Sequence, residues 1–388
     1  MVSDTPTLAA PSGRWVRLLE RNLRNPLRLV GLVLIAYLAF IAIANIVSGQ
    51  FTLERFVRLT IFGLAQGSIY ALIALGYTLV YGILSMINFA HSEVFMAGAY
   101  IGFFAINAMD QSGFLDDQTF LALIITLVVG ISASVTIAVL LERIAYRPLR
   151  AAPRLVPLIT AIGASITLQQ LFLRLFGSGT RVYPDVNFYV LPSIFNTLEC
   201  VESNGAQVCR GLDLIGGRYD VQFLGLSLQF RPIYFLVFFL AVIFMAALWF
   251  FVKRTKTGKA MRAVAEDKKT AALMGINVDR VIVTTFVLGA VLAGAGGVFF
   301  ALYNTQVQPF MGFFPGIKAF TAAVVGGIGN IPGAMFGGMF LGMVESIAPS
   351  LLGIPNQLRD VIVFGMLILV LIFRPTGIFG EVLSEKKA

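Results

Sequence analysis

Residues 63–100 read GLAQGSIYALIALGYTLVYGILSMINFAHSEVFMAGAY. Positions 63–84 carry no charged side chain, and about 20 mainly apolar residues make a helix long enough to cross a bilayer. The run then breaks at SMINFA and resumes as a second small-residue helix. Within that break and restart lie Asn88, the chain's only histidine, His91, and the carboxylate Glu93. Ionisable groups among membrane residues are costly, so their presence asks for a functional or structural reason.

The rest of the chain sets the solvent in which that stretch must fold. Of 388 residues, 58% are hydrophobic and 13% charged, against roughly a quarter charged in soluble domains. The mean hydropathy is +0.86. So much apolar surface cannot be hidden in a water-soluble core, and the chain reads as an all-α polytopic integral membrane protein. Its 38 glycines suit helices whose backbones approach closely.

The net charge of +9 does not point to nucleic acid, because the basic residues are clustered. They fall at Arg14/Arg17/Arg21/Arg24/Arg28, at Arg143/Arg147/Arg150/Arg154, and at Lys253/Arg254/Lys256/Lys259/Arg262/Lys268/Lys269, each between apolar runs. That is the pattern of the positive-inside rule. The apolar run Leu29–Val47 is too long for a signal peptide and no small-residue cleavage site closes it, so it reads as an uncleaved first helix.

Apolar length predicts spans near 29–48, 57–81, 88–108, 119–141, 155–177, 230–252, 278–303, 314–329, 332–351 and 357–374. The 314–329 span is short and glycine-rich, and is expected to be a half-helix or re-entrant. The organisation is then a basic N-terminus (1–28), a first helix group (29–177), a polar interval (178–229), a helix (230–252), a basic loop (253–277), a second helix group (278–375) and a tail (376–388). Placing the three basic clusters on one side makes both termini cytoplasmic and 178–229 extracytoplasmic. In an oxidising compartment Cys200 and Cys209, in that interval, are expected to pair; two free thiols in a flexible loop is the other reading.

The chain also looks doubled. Residues 63–100 and 289–342 share a glycine/alanine-rich helix, a polar break and a small-residue helix, run in opposite directions. That is the outline of an inverted-topology repeat.

Chemistry is sparse. The nearest approach to a phosphate-cradling loop, KRTKTGKAM, lacks the first glycine and the final Ser/Thr, so no ATP site is expected. One histidine and two cysteines assemble neither a usual catalytic zinc centre nor a nucleophilic dyad, and neither a catalytic nor a metal site is assigned. The loop 253–280, KRTKTGKAMRAVAEDKKTAALMGINVDR, contains a helical stretch. Ala260, Ala263 and Ala271 form one small face, Arg262, Glu266 and Lys269 charge the opposite one, and Gly275 is a natural stop. Such a helix suits a groove in another protein better than a lipid surface, which would want larger apolar residues.

The run 63–100, the loop GKAMRAVAEDKKTAALMGINV and the later AVVGGIGNIPGAMFGG, in that order, resemble the branched-chain amino acid permeases of ABC importers, LivH type. The resemblance spans about 57–177 and 230–375. It implies an inner-membrane translocation subunit without an ATP site of its own. ATP and Mg would bind two cytoplasmic ATPase partners, a periplasmic binding protein would deliver solute, and a homologous LivM-type permease or a second copy would complete the pore. It implies ATPase coupling through the basic loop, at Gly258, Arg262, Ala263, Glu266, Ala271 and Gly275. Urea and short-amide permeases share the same blocks. A proton-coupled secondary transporter is the rival from another class, and a structural or assembly protein a further one; the docking loop argues against both.

For the substrate pathway or gate the candidates are Asn88, His91, Glu93, Lys318 and Glu345. Glu93 is expected to cap its helix near the cytoplasmic mouth, where a carboxylate favours the positive dipole end; contact with solute is the alternative. His91 divides between the same two roles. A Lys318–Glu345 pair is conceivable. Arg359 and Asp360, near a span end, are expected to snorkel to water. The glycines at 329, 333, 337, 338 and 342 form ridges that pack helices.

Overall fold

The computed structural model describes residues 26–49, 51–150, 152–153, 155–186, 188–190, 199–203, 206–210, 212–223, 226–374 and 376–380. The basic cluster at Arg14–Arg24 and the C-terminal tail from residue 381 lie outside the described residues. The helices are α1 Pro26–Val47, α2 Leu53–Leu84, α3 His91–Gln111, α4 Phe114–Asp117, α5 Thr119–Leu141, α6 Leu155–Phe176, α7 Ile233–Arg254, α8 Lys256–Glu266, α9 Lys268–Leu273, α10 Val278–Asn304, α11 Phe313–Gly326, α12 Ile331–Leu352 and α13 Arg359–Phe373. Among the described residues, 8 helices are long and apolar enough to cross a membrane, while Ala36–Val47 inside α1 and Phe313–Gly326 are shorter apolar stretches. At 1.5 Å per residue α11 is about 21 Å long, short of a hydrocarbon core of about 30 Å.

The centre of the bundle is built on α2 and α10: α12 and α10 pack on α2, and α3 and α5 pack on α10 and on each other, with little between their backbones. On the α2–α12 crossing, a Cβ added at Gly342 would stand 2.2 Å from the Gly67 Cα, and one at Gly338 2.4 Å from the Ala71 Cα. On the α11–α12 hairpin, Gly337 faces the Ala322 carbonyl and Gly333 the Gly326 carbonyl at similar range. The expected glycine ridge therefore packs helices at 333, 337, 338 and 342. Gly329 departs from it, being in the turn before α12 with φ +93° and nothing within 4 Å of its missing Cβ. Helices α6, α7 and α13 lie outside this centre, and they and the outer face of α5 expose apolar rows such as Ile159, Ile162 and Ile166 on α6, the surface a bilayer requires.

The two halves repeat a device. α2 ends on Ser85 at φ 55° and α10 on Thr305 at φ 58°, two non-glycine left-handed caps. Each is followed by a connection that turns back, 85–90 and 305–312, and by a helix that starts inside the bundle. His91 lies against Gly76, eight residues before the end of α2, which is about 12 Å inward. A Cβ on Gly312 would meet the Ser92 carbonyl at 2.3 Å, and one on Gly316 would meet the Ser92 Cβ at 2.3 Å. The starts of α3 and α11 thus touch in the interior. Contacts of Gly76 with Gly289 and of Leu72 with Gly296 run α2 and α10 antiparallel, as an inverted repeat demands.

One end of the molecule carries the basic segments 142–150 and 253–277; Arg147 and Arg150 of the first pair with Asp279, in the first turn of α10 just past the second. At the other, strand Arg181–Val182 pairs with Gln306–Val307, and antiparallel hairpins form from Glu199–Ser203 with Ala206–Arg210 and from Tyr219–Phe223 with Leu226–Phe230. Cys200 stands opposite Cys209 in the first hairpin.

Gly342→Val is expected to prevent accumulation of a folded, monodisperse protein in detergent, since backbone rather than a movable side chain opposes the new Cβ. Gly163→Ala, where nothing lies within 4 Å, is expected to leave the thermal midpoint within a few degrees. Size exclusion and thermal unfolding of both variants check this.

Candidate functional site

At the break after α2 the sequence expectation of capping by Asn88, His91 and Glu93 is not met. α3 starts after Ala90 with no side-chain cap. The Asn88 side chain instead accepts a hydrogen bond from the Tyr146 hydroxyl at 2.5 Å, while its backbone carbonyl accepts from the His91 N–H at 3.1 Å. His91 fills the space left by Gly76 and meets the Tyr77 ring edge-on at a centroid distance of 5.1 Å. It is a packed interior imidazole, and the close fit is possible only because position 76 has no side chain.

Glu93 is fully buried and faces α6. Its Oε1 accepts from Gln169 Nε2 at 2.8 Å, Ser165 Oγ at 3.1 Å and Ser92 Oγ at 3.2 Å. α6 otherwise makes few contacts with the central helices, chiefly through Phe172 and Phe176 on Tyr100 and Phe104. The carboxyl therefore fastens a peripheral helix to the start of α3. All three donors meet Oε1, and Oε2 is buried without a partner; the carboxyl lies in the protein interior and not at the hydrated mouth expected from the sequence. The signal for its partner was present in sequence: Pro157, Ala161, Ser165, Gln169 and Phe172 form the buried stripe of α6, with two polar residues one turn apart.

A second polar cluster joins four helices. Lys318 Nζ of α11 lies 2.7 Å from Glu345 Oε1 of α12 and 2.7 Å from Asp360 Oδ1 of α13. Gln66 Nε2 of α2 donates to Glu345 Oε1 at 3.2 Å and to the Tyr70 hydroxyl at 2.6 Å. Arg359 Nε stands 3.5 Å from the same carboxylate. The conceived Lys318–Glu345 pair is therefore formed. Arg359 keeps an exposed side chain, as expected of a snorkelling residue; the expectation is corrected for Asp360, whose carboxylate turns to the buried Lys318 ammonium. Periodicity could not identify that grouping, because it depends on the α11–α12 hairpin and the start of α13 meeting.

The loop 253–277 is two helices rather than one. Asp267 ends α8 and caps α9, accepting from the Thr270 hydroxyl and the Lys269 N–H. The Thr270 hydrogen bond, then those from the backbone, hold its carboxyl below the usual carboxylate range. Arg262, Glu266, Lys269 and Gly275 are exposed, whereas Ala271 and Gly258 are buried and Ala263 half-buried. Gly258 is pressed on the Val252 and Phe251 carbonyls of α7. The small face at Ala260, Ala263 and Ala271 packs on the chain's own core, so it is not an outward docking face. What the loop presents instead is Leu273, 88% exposed, and Met274, 78% exposed, which the alanine pattern concealed. Among the described residues no group of His, Cys, Asp and Glu could hold a metal ion.

Two stability tests follow from these clusters. Glu93→Leu is expected to lose about 1–2 kcal/mol through the unpaired Ser165 and Gln169 groups, and Glu93→Gln less, since it keeps an acceptor. Lys318→Met should cost about 3–5 kcal/mol by stranding buried Glu345, and Lys318→Met with Glu345→Leu should restore part of it. Denaturation in detergent checks both orders; a double variant no better than the single would refute the second.

The chain matches the family model described as branched-chain amino acid transport system / permease component over residues 59–371. It is 42% identical over 324 residues, covering 84% of this chain and 95% of the relative, to the high-affinity branched-chain amino acid transport system permease protein BraD of Pseudomonas aeruginosa. Against the permease LivH of Escherichia coli K12 the identity is 43% over the same shares. A fructose import permease protein, FrcC of Rhizobium meliloti, is 28% identical over 42% of this chain and 47% of its own. No solved structure matches. The interior helix starts, the glycine crossings and these matches agree: the chain belongs to the branched-chain amino acid transport system permease family.

Proposed function

We propose that this chain is the translocation subunit of an ABC importer for branched-chain amino acids, placed in a bacterial inner membrane with the basic segments and both termini in the cytoplasm. The match over residues 59–371 carries the reading. ATP and Mg would be bound by two partner ATPases, and solute would arrive from a periplasmic binding protein at the hairpin end. There the register that sets Cys200 opposite Cys209 supports a disulfide, since cross-strand Cα separations fall within bridging range.

The starts of α3 and α11 are packed shut on each other by Ser92, Gly312 and Gly316, which supports a path completed by a second permease, a LivM-type homologue or another copy. Glu93 and the Lys318 cluster then act by holding α6 and α11 in place, and solute preference is not theirs to set. Glu93→Gln should leave the ranking of leucine, isoleucine and valine over other amino acids unchanged.

For the ATPase contact, exposed Leu273 and Met274 replace the buried alanines and Gly258, with Arg262, Glu266 and Gly275 beside them. Apolar side chains held in water by a short capped helix suit an apolar groove. Leu273→Asp combined with Met274→Asp should reduce co-purification of the ATPase subunits by at least about tenfold, while membrane insertion stays intact. Unchanged co-purification would refute this assignment, and uptake of urea or a short amide in preference to leucine would refute the substrate.

A further inference from the structure

Between the exposed loop 253–277 and the interior start of α3 lies one irregular segment. α5 does not end as an α-helix: Glu142–Tyr146 winds as a π-helix, and Arg147–Leu149 as a 3-10 turn. π segments place one extra residue in a turn and recur at functional sites. This one turns Glu142 and Tyr146 inward, both buried, and sends Arg147 and Arg150 toward the loop.

The contacts of the segment run in two directions. Toward the loop, Arg147 Nη2 lies 3.2 Å from Asp279 Oδ2, and Arg150 bridges Asp279 and Glu142 through its two terminal nitrogens. Asp279 is in the first turn of α10, four residues after Gly275 closes α9. Lys268 of α9 is close enough that burial, and then the Arg150 guanidinium, hold its ammonium below the usual lysine range. Toward the interior, the Tyr146 hydroxyl donates to Asn88 Oδ1 at 2.5 Å, and its ring packs on Phe286 of α10 at a centroid distance of 5.5 Å. Asn88 belongs to the connection 85–90, whose last turn leads into His91 and the start of α3.

We propose that Arg150, Glu142, Tyr146 and Asn88 are positioning residues that tie movement of the ATPase-contact loop to the connection 85–90, and so to the paired starts of α3 and α11. Glu142 is wholly buried, so separating it from Arg150 would strand a charge. Arg150 is thereby held to Glu142, and its second ion pair, to Asp279, ties the π segment to the start of α10 just past the loop. A single buried hydroxyl–amide contact then passes displacement of that segment to Asn88. This inference rests on the importer reading, because it needs a partner that moves the loop.

The test uses the reconstituted complex in liposomes, measuring leucine uptake and ATP hydrolysis together. Tyr146→Phe keeps the ring on Phe286 and removes only the hydroxyl. Uptake per ATP hydrolysed is expected to fall at least about fivefold, the low end of measured couplings between sites, with complex yield and hydrolysis retained. Adding Asn88→Ala removes the orphaned acceptor. A merely structural loss would then recover, whereas a lost link would not, so recovery overturns the proposal. Arg150→Lys retains charge against Glu142 but cannot span both carboxylates, and should lower the same ratio should Tyr146→Phe fail to accumulate. An unchanged ratio in both single variants overturns the proposal while leaving the importer reading intact. Absence of ATP-driven uptake by the wild-type complex would overturn the importer reading, and this proposal with it.

Discussion

Where α2 crosses α12 no side chain separates the two backbones. Gly67 and Ala71 on one helix meet Gly338 and Gly342 on the other, and the remaining architecture is arranged around that approach. In hydrocarbon there is little hydrophobic gain in bringing two apolar helices together, so close dispersion contact and interhelical hydrogen bonds must hold them. The same device recurs where Gly297 of α10 meets the Phe95 carbonyl and where Gly76 admits His91. Close backbones leave little room for water, and Gln66, Glu93 and Lys318 inside this bundle find partners on other helices.

Those partners divide the molecule into three fastenings. Glu93 holds α6 against α3; Lys318 and Glu345 hold the α11–α12 hairpin to α2 and α13; Arg150 holds the basic end of α5 to the start of α10. Each contains a costly buried carboxyl, Glu93, Glu345 or Glu142, held through one oxygen by donors it would be stranded without. At the starts of α3 and α11 the two repeats meet through Ser92, Met96, Gly312 and Gly316. A junction packed by shape and flanked by fixed ties is suited to alternate between two arrangements.

Much of this was legible in the chain. The spans, the doubled outline, the glycine ridges at 333–342 and the polar hairpin interval follow from length, spacing and turn residues. The polar residues singled out lie in two places, Asn88, His91 and Glu93 about the start of α3 and Lys318 and Glu345 between α11 and α12, and several of their contacts differ from those expected. Glu93 resembled a cap because carboxylates are common in first turns, yet its bonds go to Ser165 and Gln169, 72 and 76 residues away. Asp360 resembled an interfacial residue because it sits at a span end, yet its carboxylate lies 2.7 Å from the buried Lys318 ammonium. Ala260, Ala263 and Ala271 resembled a docking face because small residues suit both a partner's groove and the chain's own core, and spacing alone does not distinguish them.

By itself the sequence determined the solvent and the elements. Uncharged runs of crossing length can only satisfy their backbones as helices in a bilayer, and the basic clusters and breaks mark where those helices end. The tertiary structure decided which ends lie inside. That α3 and α11 begin in the interior, and that Tyr146 reaches Asn88 across 58 residues, depends on how the inverted halves interlock. Helix pairing in a membrane is set by shape matching and by which buried polar groups can be satisfied together. Both are properties of several segments at once, so no single stretch encodes them.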